Sequence, residues 1–500
     1  MTRMNDLFVV TDFDAIGDGK TLCTRALQAA IDAAAVAGGT VVVPPGVFLT
    51  GTIFLKSRVT LELRRGAKIL GSPNLSDYVE VRWGHHMDRT PYHLVMADGV
   101  EDVAITGDGE IDGNGPGFWD KKRPSEWHFF HTTWRRVSPM VEISGCKNVR
   151  VEGVRLTNSA GWTLHLHDVQ HAWVRGVRII NTLFGPNTDG IDITGGRYIT
   201  VSDCHITTGD DAIALKTSVD SQSCEYVSVT NCVLETNCVA VRVGYESKQD
   251  FRHIAVSNCV IPRCSRAIDL RTIDGCTIEH VCMTNITGTT NCGWPFNRPV
   301  EMYADRLENI FTFEPMHPNY GKYPWAKRAG IIRNITLSNL DFVTDGRVLI
   351  GAANEGEISD ITVDNLRLRY AMIDDPYPSG AKAMSASFFR GVPDLRVARA
   401  AVCVENATNI TMRGLEIHWP QYPVDEDWRL LKSPHRQGLT DAYKGRDGDI
   451  RDGKIAPPFH ALWAKNLRGG RVDLVNAPAS QAGLSKTELI DSDVELVGDK

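Results

Sequence analysis

The sequence predicts an all-β fold: a right-handed parallel β-helix with an N-terminal capping α-helix, built as one domain over residues 1–500. Three observations carry this. Strand-like units recur through the middle of the chain. No helix-length segment separates them. Residues of one kind fall at one position in unit after unit.

The N-terminal region, residues 1–60, holds the one clear helix signal. "TRALQAAIDAAAVAGG", Thr24 to Gly39, is Ala-rich, amphipathic and stopped by glycines. An open solenoid end is a sticky edge, so a helix is expected to cap it. Strands follow in "GTVVVPPGVFLTGTIFLKSRVTLEL".

The repeats come next. "VRVEGVRLTN", "WVRGVRIINT", "ITVSDCHITT", "VSVTNCVLET" and "IAVSNCVIPR" are anchored at Val151, Val174, Val201, Val229 and Val256, which lie 23, 27, 28 and 27 residues apart. Weaker copies centre on Met283, Leu337, Val363 and Met412. Strands this short gain stability only by stacking coil on coil, at roughly 4.8 Å. Cys204, Cys232 and Cys259 share one position. So do Asn231, Asn258, Asn285, Asn339 and Asn365, read as a buried ladder that satisfies turn backbone. A β-propeller blade would need about 40 to 50 residues. Two irregular insertions interrupt the pattern: an aromatic and basic one at 121–136 and a charged one at 424–454.

Net charge is −7, which implies neither a nucleic acid nor a membrane surface as partner. No stretch approaches a transmembrane span. Met1 to Asp6 lacks a basic and apolar leader, and twelve cysteines show no CxxC pair or zinc spacing. The expectation is a reduced, cytoplasmic protein whose cysteines are small core residues.

A second strand of each unit locates the chemistry. "WTLHLH", "DGIDIT", "DAIALK", "VAVRVG" and "RAIDLR" align. Alternation sends Leu164/Leu166, Ile191/Ile193, Ile213/Leu215, Val241/Val243 and Ile268/Leu270 inward. The outer columns are then His165, Asp192, Ala214, Arg242, Asp269 and His167, Thr194, Lys216, Gly244, Arg271. Asp189 and Asp211 become neighbours on adjacent coils, and Asp210 lies one residue earlier at a turn opened by Gly209. Close like charges raise one carboxyl's pKa, which keeps an acid and a base together near neutrality. Glycoside hydrolysis needs that pair, and each role is worth roughly a hundred- to ten-thousandfold in rate. Taken singly, each Asp reads as a turn cap; three converging on one groove read as catalytic.

At these residues the chain resembles glycoside hydrolase family 28, the polygalacturonase-type enzymes. Asn187-Thr188-Asp189 matches the family's NTD motif, and Gly209-Asp210-Asp211 its (G/Q)DD motif, at the family's spacing. "TDFDAIGDGKT", "GGTVVVPPGVFLTG", "VAITGDGEIDGNG", "NSAGWTLH", "EMYAD" and "NITLSNLDF" extend the likeness from about Val10 to Pro420. The resemblance implies a right-handed parallel β-helix and an inverting mechanism. Asp210 would be the general acid, and Asp189 and Asp211 would hold and deprotonate the attacking water. No metal or cofactor is implied.

Two motifs depart. Val239 stands where the family has the GHG histidine. Asp269 and Arg271 stand where its R-I-K motif has the Arg and the Lys that grip a galacturonate carboxylate. Asp269 would repel that carboxylate. Arg242 is a substitute for the grip or, equally, Asp269's ion-pair partner. Asp269 accepts hydrogen bonds from hydroxyls, so the cleavage-site sugar is expected to be rhamnose or another neutral residue of a pectin-type oligosaccharide. His165 is a candidate to line that subsite or a surface histidine without a role, Lys216 to hold the carboxylates through Asp192, and Tyr303 reads first as a packed strand residue and otherwise as one that stacks on or hydrogen-bonds a sugar. Trp127, Phe130 and Trp134 supply sugar-packing faces, a plug or a subunit contact of a homo-oligomer. Placed before the catalytic coils, their insertion would wall off one groove end and make the enzyme exo-acting. The alternatives are a Ca²⁺-assisted β-helix lyase and a catalytically inactive carbohydrate-binding β-helix.

Overall fold

A computed structural model of the chain describes residues 6–81, 89–124, 130–132, 135–290, 309–315, 329–344, 346–353, 355–370, 394–395, 398–420 and 458–499. Tyr303, Trp127, Trp134 and the whole 424–454 insertion lie outside these. The chain forms two compact units, Met1–Thr236 and Asn237–Lys500.

From Val141 to Thr208 each strand of the first unit pairs in parallel with the third strand after it, which is how a three-sided solenoid is wound. One side stacks Val95–Asp98, Val141–Ser144, Leu164–His167, Ile191–Thr194 and Ile213–Thr217. A second stacks Glu101–Gly107, Lys147–Glu152, Gln170–Arg175, Arg197–Ser202 and Cys224–Thr230. A third stacks Glu110–Asp112, Arg155–Thr157, Arg178–Ile180, His205–Thr208 and Val233–Thr236. The predicted register holds: Val151, Val174, Val201 and Val229 pair in sequence. The inward residues Leu164, Leu166, Ile191, Ile193, Ile213 and Leu215 are fully buried. Each coil thus hides its apolar face only against its neighbours.

The helix spans Thr24–Ala35 and buries Leu27, Ala30, Ile31 and Ala34. It packs on strands Leu7–Val9, Gly39–Val43, Ile53–Phe54 and Val59–Leu63. Among the described residues no helix is long and apolar enough to cross a membrane. The 121–136 insertion, expected to be irregular, carries an antiparallel pairing of Trp119–Pro124 with Phe130–Thr132, offset by a bulge.

In the second unit, long parallel strands bend around the coil. Phe251–Cys264, Thr277–Thr290, Ile331–Thr344 and Glu357–Tyr370 stack in order. Val256, Met283, Leu337, Val363 and Met412 pair in sequence, as the weak repeats predict.

The asparagine ladder departs from expectation in one respect: it is exposed, not buried. Asn285 donates to Asn258, Asn339 to Asn285 and Asn365 to Asn339, each at 3.0 Å. All four hold φ between 54° and 56° or, for Asn339, 53°. In that left-handed turn the side chain leaves the core, and Asn tolerates it. The three stacked cysteines do lie inside, whereas Cys282 is exposed. Cys204, Cys232 and Cys259 are buried, each thiol donating to the carbonyl two residues back.

Candidate active site

The NTD and GDD turns rest on one another. Thr188 Oγ1 donates to Gly185 O at 3.1 Å and accepts from Gly209 N at 3.1 Å. A Cβ on Gly209 would lie 2.5 Å from Gly185 O, so only glycine permits this approach. Gly190 N donates to Asp211 O at 2.9 Å, which sets Asp189 and Asp211 on adjacent coils. Asp210 turns the other way. Its Oδ1 accepts Asp211 N at 3.1 Å, and its carbonyl accepts the hydroxyls of Thr208 and Thr236 at 2.7 and 2.5 Å.

The three predicted carboxylates therefore gather in the first unit. Asp189 and Asp211 are each 3% exposed, and Asp210 is half-buried. Carboxylate oxygens of Asp210 and Asp211 lie within 4.8 Å of each other. Lys216 Nζ sits 3.3 Å from Asp189 Oδ2 and 3.1 Å from Asp192 Oδ1, above the Trp162 ring at 3.9 Å. One ammonium faces two buried carboxylates. Burial above all, then Asp192, Asp210 and Asp211 as like charges, holds the Asp189 carboxyl well above the usual carboxylate range; Lys216 opposes this without offsetting it. Asp189 Oδ1 is buried with no hydrogen-bond partner among the described residues, so it stands ready for a water or a hydroxyl.

His165 pairs with Asp192 across coils, as the column predicts, but it is fully buried. Its Nδ1 lies 2.8 Å from Glu142 Oε2 and its Nε2 2.8 Å from Thr194 Oγ1. Burial pushes the imidazole down to about 3, so it is neutral. In that state Nδ1–H donates to Glu142 and Nε2 accepts the Thr194 hydroxyl. Despite its burial, Glu142 is held well below the ordinary carboxylate range by His165, which hydrogen-bonds it, and by Arg89, whose Nη2 stands 2.6 Å away. Glu142 and Arg89 escaped the sequence reading. The signal for Glu142 was present: "VEIS" extends the His165 column one coil earlier. Arg89 carried no such periodic signal. Arg136, at the end of the insertion, was missed too; it donates to Asn187 Oδ1 at 3.0 Å.

A model of glycosyl hydrolases family 28 matches residues 36–291, just over half of the chain and both Asp turns. The chain belongs to that family. A probable polygalacturonase of Vitis vinifera is 31% identical over 231 residues, 43% of this chain and 45% of the relative. An exo-poly-alpha-D-galacturonosidase of Dickeya chrysanthemi is 28% identical over 258 residues, 42% of each. The chain thus spans less than half the length of these curated relatives. Among solved structures, a hyperthermoactive exopolygalacturonase of Thermotoga maritima superposes with a TM-score of 0.64 at 22% identity, over 83% of this chain and 92% of the other. That likeness is one of fold.

This family 28 chain departs from the expected carboxylate grip within its second unit. Asp269 is fully buried. Arg242 Nη1 lies 2.8 Å from it, Arg271 Nη2 3.5 Å and Arg266 Nε 3.7 Å. Arg271 Nε in turn lies 2.9 Å from Glu314 Oε2. Asp269, expected to accept sugar hydroxyls, is instead engaged by guanidiniums. Arg242 takes the ion-pair alternative. Val239 is buried. Glu314 also went unread, since "TFEP" showed no repeat that aligned it.

Proposed function

We propose that this family 28 protein is an inverting, exo-acting glycosidase on pectin-type oligosaccharides. Asp210 protonates the leaving oxygen; Asp189 and Asp211 hold the water and take its proton. One observation carries the reading: three carboxylates meet where adjacent coils stack, and among them Asp210 alone is more than marginally exposed. Exo action is supported by the outward column that runs from the coils before Asp189 into its own coil: Glu142, His165 and Asp192 are fully buried, so these side chains are not offered to a sugar chain there. The exo-acting name of the Dickeya chrysanthemi relative points the same way.

The cleavage-site sugar is proposed to be other than ordinary galacturonate, with rhamnose or another neutral residue preferred. The support has changed from that read in the sequence. Asp269 is not offered to hydroxyls, but Arg242 and Arg271 are already matched to Asp269 and Glu314. A cytoplasmic location, where short imported oligosaccharides are met, belongs to the same proposal, testable by cell fractionation. So does the helix Thr24–Ala35 as the cap that keeps the first coil's edge from pairing with other chains.

The test is a panel of reduced pectic and neutral oligosaccharides with the product anomer read by NMR. An α-linked substrate giving first a β product supports the proposal. Retention would sink it, and so would an unsaturated product absorbing in the ultraviolet. The anomer is decisive because Asp210 and Asp211 are closer than the roughly 6.5–9.5 Å usual between an inverting acid and base. Inversion then needs the water to sit on the Asp189 side. Asp210→Asn should lower kcat by about 10² to 10⁴ with binding retained.

A further inference from the structure

We infer that Arg136 is a positioning residue for Asp210, fixing which end of the Asn187 amide faces that carboxyl. The inference rests on Asp210 being the proposed acid. Arg136 is 1% exposed. Its Nη1 donates to Pro186 O at 2.9 Å and Ala160 O at 3.3 Å, and its Nη2 to Asn187 Oδ1 at 3.0 Å. A guanidinium has donors and no acceptor. The Asn187 amide must therefore turn its oxygen to Arg136, which leaves its NH₂ on the opposite side, 3.4 Å from Asp210 Oδ2. The backbone supports this pose: Asn187 holds φ 50°, in a left-handed turn tied to the next coil through Thr188 and Gly209.

The amide's orientation sets the proton affinity of Asp210. An N–H donated to a carboxylate favours the ionised form, while a carbonyl oxygen in its place accepts from, and so favours, the protonated form. The charged groups near Asp210 in this unit include Arg136 behind the Asn187 amide, Asp211, within 4.8 Å, Asp189 from the preceding coil, and Lys216, whose ammonium is shared by Asp189 and Asp192. The other charges push on Asp210 whichever way the amide points; Arg136 controls a neutral dipole that can reverse. Losing it lets the amide flip and removes a nearby positive charge, and both changes raise the Asp210 pKa.

The competing role is a staple, with Arg136 doing no more than joining the Ala160 and Pro186 loops. The two are separated by titrating the carboxyl itself. Protein labelled with ¹³C-carboxyl aspartate is followed by NMR against pH without substrate, the Asp210 resonance being the one lost in Asp210→Asn. Arg136→Met and Asn187→Ala should each raise the midpoint by about one pH unit, and the double variant should add little. Arg136→Lys, one point donor in place of a fork, should fall between. A midpoint unmoved within about 0.2 unit, beside a lowered melting temperature, would leave only the staple. If Arg136→Met fails to fold, Arg136→Lys and Asn187→Ala carry the same decision. Because no turnover is measured, a protein that hydrolyses nothing would still display the shift. Failure of the glycosidase reading is thereby kept apart from failure of this one.

Discussion

Lys216 Nζ lies 3.3 Å from Asp189 Oδ2 with both side chains about 5% exposed or less, and its ammonium faces two buried carboxylates of one coil, Asp189 and Asp192. Lys216→Met should preserve the packing on Trp162 but leave the carboxylates uncompensated. Breaking a buried pair from one side costs about 3–5 kcal/mol. The deficit in urea midpoint should be larger at pH 8 than at pH 5, because at the lower pH protons can replace the lost ammonium. An equal deficit at both values would mean that the lost packing, not the charge, dominates.

Asp189 makes the opposite contribution to pH dependence from an ordinary salt-bridged acid. Its folded pKa is raised, by burial first, above the unfolded value. The folded state therefore binds the proton more tightly. Its stabilising effect is full below the unfolded value near 4 and is lost as pH rises through the folded value. Asp189→Asn should remove that loss. We expect a gain of about 1–2 kcal/mol at pH 8, little change at pH 4, and loss of activity. Lys216 keeps Asp192 as a partner in that variant.

His165 works in the other direction. Burial lowers its pKa to about 3, while the unfolded chain takes up its proton near 6.5. The stability it contributes is complete above the unfolded value and is lost as pH falls from about 6.5 towards 3, with a slope near 1.4 kcal/mol per pH unit for one proton. Between pH 6.5 and 5 this slope is separable from Glu142, whose carboxyl is held well below the ordinary range against the pull of burial by His165 and Arg89. His165→Gln, which keeps one donor and one acceptor, should flatten urea midpoints across that window. A slope unchanged from the parent would place the proton uptake elsewhere.

What could be read from the sequence and what could not follow from one physical distinction. Pairings along a coil repeat are periodic, so the columns joining His165 to Asp192, Arg242 to Asp269 and His167 to Lys216 by way of Thr194 were legible from alternation and spacing. The turns that carry the carboxylates were legible because Asp189 and Asp211 sit at the same point of successive units. Burial was not. A strand pattern tells which face a residue takes, but not whether a loop covers that face. His165 and Asp269 were read as open to a sugar, and both are sealed. Arg89 and Arg136 reach the site from non-repeating segments, where no period announces them. The asparagine ladder was found by period and misplaced by depth, since its left-handed φ is a backbone property the pattern does not encode.

That ladder gives a stability prediction independent of the active site. Asn285 donates to Asn258 and accepts from Asn339, at 3.0 Å each, on an exposed face, with φ 55°. Exposed hydrogen bonds of this kind are worth roughly 0.5 kcal/mol apiece. A left-handed backbone costs a residue with a Cβ about 1–2 kcal/mol, a cost that glycine escapes and asparagine offsets locally. Asn285→Gly should therefore lose about 1 kcal/mol, the two bonds alone, while Asn285→Ala should lose about 2–3 kcal/mol. Denaturant midpoints of the two variants measure the difference. If alanine proves as stable as glycine, the turn has relaxed out of the left-handed region, and the ladder, not the backbone, is what selects asparagine there.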